Sequence, residues 1–263
     1  MSISNERKEY LKKKQKEKRI IIFAQVLILI VFLIIWEVLA HYKVINTFLA
    51  SSPSLIVKTL SSLVESNDLF THIKVTLLET IISFALASIG GLVIASILWW
   101  NKRLAKIVDP YLTVINALPK VALGPLIIIW VGASTKSIIF MALLISLFLS
   151  IINIYHSFKE TDKNYLILLK SLNASKKDLF FKVVLPSNFS NIINNLKINT
   201  SMAYIGVIMG ELLVSKKGLG YLIMYGSQVF NINLVITSVF LLGVFAFLFY
   251  YVICLVEKKF IKK

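Results

Sequence analysis

Residues 75–100 read VTLLETIISFALASIGGLVIASILWW, 26 residues with one charge, Glu79. A helix rises about 1.5 Å per residue, so this stretch reaches about 39 Å, more than the roughly 30 Å of hydrocarbon in a bilayer. Within it Ser83, Ala87, Gly91 and Ala95 recur every four residues. Small side chains at that spacing form a stripe along which a second helix backbone can approach closely. The stretch therefore predicts a membrane span packed in a tight bundle. Runs of the same kind occupy 20–40, 111–131, 137–155 and 234–256. A sixth, 192–214, is interrupted by Asn194, Asn195, Lys197, Asn199, Thr200 and Glu211, and reads as a span enclosed by other helices rather than facing lipid.

The composition agrees with the runs. The 263 residues are 57% hydrophobic and only 16% charged, whereas soluble domains carry about a quarter charged residues. One soluble core cannot hide that much apolar surface. The formal charge of +16, from 29 basic and 13 acidic residues, does not mark a nucleic-acid binder, which needs its cations on one folded, water-exposed face. Here the cations fall between the apolar runs, as the positive-inside rule expects. With a cytoplasmic N-terminus, 22 of the 29 Lys and Arg lie on the inner side, the last of them Lys262 and Lys263. Six lie outside (Lys43, Lys58, Lys74, Lys136, Lys216 and Lys217), and Lys120 lies within a span. The expected fold is all-α and polytopic, with six transmembrane helices and both termini cytoplasmic. A basic arm, 1–19, precedes a transmembrane domain, 20–263. The run at 20–40 lacks a small-residue cleavage site and reads as an uncleaved anchor, with the arm as orientation signal near membrane lipid. Cys254 is alone, and His41, His72 and His156 lie far apart. No internal disulfide or metal site is predicted.

Two connections are long enough to have structure of their own. In the outer one, 42–74, Leu55, Ile56, Leu60, Leu63 and Val64 recur at helical spacing after Ser52-Pro53-Ser54, which predicts an amphipathic helix along the membrane surface. The inner one, about 156–191, contains YLILLKSLNASKKDLFFKVVLPSN from Tyr165. This reads as a helix, a break at Asn173, and a second helix with Ser175 as N-cap and Asp178 three residues on, stopping near Pro186. Asn tolerates the left-handed backbone that such a break needs, and Ser-x-x-Asp approximates a capping box. Leu179, Phe180, Val183 and Val184 fall on one apolar side.

The run LNASKKDLFFKVVLP resembles the signature loop of permease subunits of bacterial ABC importers, Glu-Ala-Ala, three residues, Gly, nine residues, Ile, one residue, Leu-Pro. Asn173 stands in the Gly place, Val183 in the Ile place, and Leu185-Pro186 closes the pattern. Ile167, Leu168 and Leu169 replace Glu-Ala-Ala. INALPKVALGPLIIIWVGAS and GELLVSKKGLGYLIMYGSQVF are similar to segments of the nitrate, sulfonate and taurine branch, which also includes importers of thiamine precursors. The resemblance covers about 75–255. It implies a type I ABC importer permease in the bacterial cell membrane that is not itself an enzyme, works as a homodimer, and receives a small anionic or polar solute from an extracytoplasmic binding protein. The chain has no G-x-x-x-x-G-K-[ST], so ATP and Mg are expected on a separate ATPase subunit, with no cofactor on this chain. By the resemblance, Leu172, Asn173, Ala174, Ser175, Asp178, Leu179, Phe180, Lys182, Val183, Leu185 and Pro186 form the loop that docks on that ATPase, and Leu179 and Phe180 are expected to make the contact.

Polar groups inside spans are functional candidates by default. Lys120 follows Pro119 in the third run, with Asn116 one turn before it; Pro119, and again Gly124-Pro125, should break that helix. Lys120 either attracts an anionic substrate or serves structurally, for example by pairing with Glu79 or Glu211. Asn199, Thr200, Ser201 and Tyr204 either line the pathway or hydrogen-bond between helices. Glu211 precedes a tight outer turn at Gly218 and Gly220 that either touches a binding protein or simply joins two helices. Glu37 reads as an interfacial residue. An ion-coupled secondary transporter or channel is the alternative; it predicts pseudo-symmetric halves, and no internal repeat is evident.

Overall fold

The computed structural model describes residues 5–261; residues 1–4 of the basic arm, and Lys262 and Lys263 of the inner-side count, lie outside them. Among the described residues there are helices and connections and no strand. The first helix, α1 (Asn5–His41), carries the 20–40 run back through the basic arm. Most of its apolar residues stay uncovered, Ile28 at 70% exposure, and among the described residues only Ala40 near its end is buried, as suits a helix whose main partner is lipid. Its C-terminal end is fastened to the next segment, where Glu37 Oε2 accepts from the Ser54 N–H at 2.9 Å.

A short turn, α2 (Thr47–Ala50), leads to the outer amphipathic helix α3 (Pro53–Glu65). Ser52 caps α3 by accepting from Leu55 N at 3.3 Å, and Pro53 occupies the first turn, where its missing N–H costs nothing. Leu60 and Leu63 pack on the cluster formed by Leu69, Leu219, Leu234 and Leu241. Part of the apolar face of α3 is thus turned onto protein, while Val64 stays exposed.

The bundle consists of α4 (Asp68–Trp100), α5 (Lys102–Ala117), a 3-10 turn (Lys120–Leu123), α6 (Gly124–Val131) and α7 (Thr135–Lys159). After the inner connection it continues with α11 (Phe189–Val214), α12 (Leu219–Gln228) and α13 (Ile232–Ile261). By length and apolarity α1, α4, α7 and α13 can each cross a membrane, and counting each of two bent pairs, α5 with α6 and α11 with α12, as one span gives six. The third span is broken as predicted: α5 and α6 meet at 84°. Leu118 is extended before Pro119, the conformation a following proline imposes. Gly124-Pro125 does not break the helix a second time; Pro125 sits in the first turn of α6 and opens it.

Small residues let α4, α7 and α11 form the centre. Ser83, Ala87 and Ala95 are fully buried and Gly91 lies against the Ser150 side chain, so the predicted stripe is the seam between α4 and α7. On α11, Gly206 faces the Ala142 backbone, and a Cβ at Gly210 would lie 3.0 Å from Ile138 Cα. The run 206–210, GVIMG, is thus a G-x-x-x-G contact that the sequence reading did not use. Near the start of α11, Lys197 pairs with Glu257 on α13 at 2.6 Å.

Candidate functional site

The inner connection is built from α8 (Lys163–Ser171), α9 (Lys176–Leu179), a π-helical turn (Phe180–Val184) and α10 (Leu185–Ser187). Asn173 has φ +58°. The Ala174 N–H reaches back to Leu169 O and the Asn173 N–H to Lys170 O, both at 3.0 Å. This is the pair of bonds that closes a helix around a left-handed residue, so Asn fills the place where the resemblance expects Gly. Ser175 and Asp178 form the expected capping box: Asp178 N donates to Ser175 Oγ, and Asp178 Oδ2 accepts from Ser175 N, each at 3.2 Å. Lys182 lies 2.7 Å from Asp178. The Lys182 ammonium, then the Ser175 hydroxyl and N–H, hold the Asp178 carboxyl down at about 2.

The helix stops near Pro186 as expected, ending at Ser187. The π turn runs into α10, where Pro186 takes a first-turn position, and Asn188 then opens α11. The apolar side read from the sequence points inward. Leu179, Phe180 and Val184 are buried, and the Phe180 ring sits 5.0 Å from Trp99 and 5.6 Å from Phe158. These residues moor the loop to the ends of α4 and α7. What the loop presents outward is Ile167, Leu168, Leu172 and Phe181, between 52% and 72% exposed, together with the exposed Lys182 and Pro186; Val183 and Leu185 are half-buried.

The base of the loop is closed by two residues the sequence reading missed. Asn188 Nδ2 donates to Thr161 Oγ1 at 2.7 Å and to Val184 O at 2.9 Å, and Thr161 Oγ1 donates to Phe158 O at 3.0 Å. Both side chains are buried. The only local hint is that Asn188 follows Leu-Pro-Ser, because its partner lies 27 residues away.

Within the spans the candidates part company. Lys120 Nζ donates to Asn116 Oδ1 at 2.9 Å, bridging the break after Pro119, and stands 6.0 Å above the Phe148 ring. Among the described residues it pairs with neither Glu79 nor Glu211. Asn199 is buried between α4 and α7: in the orientation that satisfies both ends of its amide, its oxygen accepts from Ser88 Oγ at 2.7 Å and its nitrogen donates to Ser146 O at 3.2 Å. Thr200 donates to Leu196 O on its own helix, and Tyr204 OH reaches Leu242 O of α13 at 2.9 Å. Ser201 alone of this group is exposed. The polar face read from α11 is therefore divided among three neighbours.

Glu211 is 1% exposed and serves the turn between α11 and α12. Its carboxylate accepts from Thr76 Oγ1 and from Gly220 N, each at 2.6 Å. Thr76 Oγ1 accepts from Leu219 N at 2.8 Å, and His72 Nδ1 from Gly218 N at 2.9 Å. Helix α12 thus starts on the Glu211 carboxyl, which satisfies an N–H group otherwise left open. Gly218, at φ +115°, packs its Cα directly on that carboxylate, so the predicted tight turn is present and glycine is required there.

Residues 87–262 match the family described as binding-protein-dependent transport system inner membrane component. The chain is 32% identical over 195 residues to the formylaminopyrimidine transport permease protein ThiX of Halalkalibacterium halodurans, covering 74% of this chain and 77% of that one. It is 28% identical over 254 residues to SsuC of Bacillus subtilis, a permease assigned provisionally to aliphatic sulfonates, covering 97% and 92%. It is 26% identical over 158 residues to the nitrate import permease protein NrtB of Synechococcus elongatus, covering 60% and 57%. The fold is similar to that in inward-facing structures of the MetNI methionine ABC transporter, with TM-score 0.63 at 16% identity over 72% of this chain and 94% of that one.

Proposed function

This chain belongs to the family of binding-protein-dependent transport system inner membrane components, with the type I ABC importer permease fold, and from that premise we propose that it forms the translocation pathway of an ATP-driven importer. It works as a homodimer with two P-loop ATPase subunits, both termini cytoplasmic, and takes solute from an extracytoplasmic binding protein. ATP and Mg belong to the ATPase. The cargo is a small anionic or polar solute; relatives named for formylaminopyrimidine, aliphatic sulfonates and nitrate support that class. Lys120 with Asn116, and the exposed Ser201, are the polar groups offered to the pathway, while Asn199, Tyr204 and Glu211 hold the bundle.

The observation that carries this reading is the inner loop, fixed at its base by Asn188 and Thr161 and presenting Leu172 and Phe181 at 72% and 52% exposure. Exposed apolar side chains on a rigid projection fit a partner's groove. Co-purification with a cognate P-loop ATPase tests it. Leu172→Asp with Phe181→Asp should cut recovery of the ATPase at least about tenfold while the permease stays folded, since two buried apolar contacts are worth about 1.5–3 kcal/mol each. Undiminished recovery would refute docking on this surface.

A further inference from the structure

Where α4 and α7 end, at Trp100 and Lys159, a cavity of about 700 Å³ opens beneath the inner loop. Its floor is apolar: Leu98, Phe158 and Leu179 line it and none is more than 7% exposed. Trp99 and Tyr155 form the wall. Five lysines stand around it, Lys102 at the start of α5, Lys159 at the end of α7, Lys163 and Lys170 on α8, and Lys176 on α9, and no Asp or Glu lines it. Among the described residues none of the five is in an ion pair. Of the nearby acids, Asp178 holds Ser175 and Lys182, Asp162 caps α8 through Asn164 N, and Glu160 and Asp162 line an adjoining hollow that shares Lys159 and Lys163 with the cavity. Lys176 Nζ is bonded to Trp100 O, so the loop is tied across the end of α4.

Five lysines above an apolar floor, with no carboxyl group in the lining, call for an amphipathic anion. The cavity lies at the ends of two spanning helices and is walled by Trp and Tyr, side chains that favour the level where hydrocarbon gives way to headgroups. Basic pockets between helices on the cytoplasmic side suit anionic headgroups. We propose that this cavity holds the headgroup of an anionic phospholipid, its phosphodiester among the lysines of α5, α7 and α8 and its first methylenes on Leu98 and Phe158. Bound there, the lipid touches both the bundle and the loop. The proposal rests on the membrane setting and on the cytoplasmic placement of the loop proposed above, and does not depend on the ATPase or the cargo.

The test uses the full chain, with Trp36→Phe and Trp130→Phe leaving Trp99 and Trp100 as reporters, in nanodiscs of phosphatidylcholine containing brominated phosphatidylglycerol or brominated phosphatidylcholine. Bromine quenches indole fluorescence on contact. One lysine near the surface favours an anionic lipid about fivefold, so quenching should report at least about fivefold enrichment of phosphatidylglycerol. Lys102→Gln/Lys163→Gln/Lys170→Gln should abolish the preference, and the matching Arg variant should keep it. Equal quenching by the two lipids in the parent overturns the proposal, whatever the variants do. So does loss of preference in the Arg variant, displacement by millimolar inorganic phosphate, which marks a site for soluble anions, or loss of preference on addition of the ATPase, which marks a protein interface.

Discussion

Asn188→Ala removes the bonds that close the inner loop, and the structure sets the size of the effect. The Nδ2 group donates at 2.7 Å to Thr161 Oγ1 and at 2.9 Å to Val184 O, in a buried setting. Each such bond contributes about 0.5–1.5 kcal/mol net, so the substitution costs about 1–3 kcal/mol. Val184 O keeps a second donor, the backbone N–H of residue 188 at 3.2 Å, so the loss falls mainly on Thr161. The cost should appear as local opening of residues 161–188, with the spans intact. Since 1.4 kcal/mol is a factor of ten, amide hydrogen exchange there should accelerate roughly fivefold to a hundredfold while that of α4, α7 and α13 stays unchanged. Asn188→Asp, which has no amide donor, should resemble Ala more than wild type. Unchanged exchange in the loop would refute the claim that Asn188 closes its base, and acceleration spread evenly over the spans would show it to be an ordinary core residue.

Glu211→Ala leaves Thr76 Oγ1 and Gly220 N without their acceptor, at about 1–3 kcal/mol each; thermal melting in detergent should show a clear loss, and Glu211→Gln a smaller one. Gly206→Leu drives a side chain into the Ala142 backbone and should cost about 1–3 kcal/mol or more by the same melting assay, whereas Gly243→Ala, with nothing nearby, should be neutral. Because the Asp178 carboxyl is held at about 2, below its ordinary 3.8, its cap contributes fully above about pH 4 and fades as pH falls through 2. The α9 amides should therefore stay protected from exchange at pH 4, and Asp178→Asn should lose that protection already at neutral pH. Lys120→Met tests the pathway directly: uptake should fall with folding unchanged, and full uptake would leave Lys120 a strut across the break at Pro119.

What the sequence made legible was local or periodic. Span length, the small-residue stripe on α4, the break at Pro119, the left-handed Asn173 and the Ser175 cap depend on neighbours within a few residues, and all are present. What it hid depends on distant partners. Leu179 and Phe180 form an apolar side in any helical projection, but whether that side meets a partner or the chain's own Trp99 and Phe158 is decided by contacts far away in sequence. Glu211 looks like a costly intramembrane charge until Thr76, 135 residues distant, and the start of α12 are seen to hold it. The G-x-x-x-G of 206–210 carried a readable signal that the polar residues before it drew attention from.

The meeting of Gly206 with the Ala142 backbone leaves no compliant side chain between α7 and α11. The inner loop hangs between the last residues of α7 and the first of α11, so a push on it is borne by two helices that cannot slip past each other there. Helix α11 then carries the push over its 26 residues, about 39 Å, to the far end, where Glu211 grips α4 and the start of α12. Mechanically it is a rod seated at both ends, on Thr161 through Asn188 at the loop and on Thr76 through Glu211 at the turn before α12.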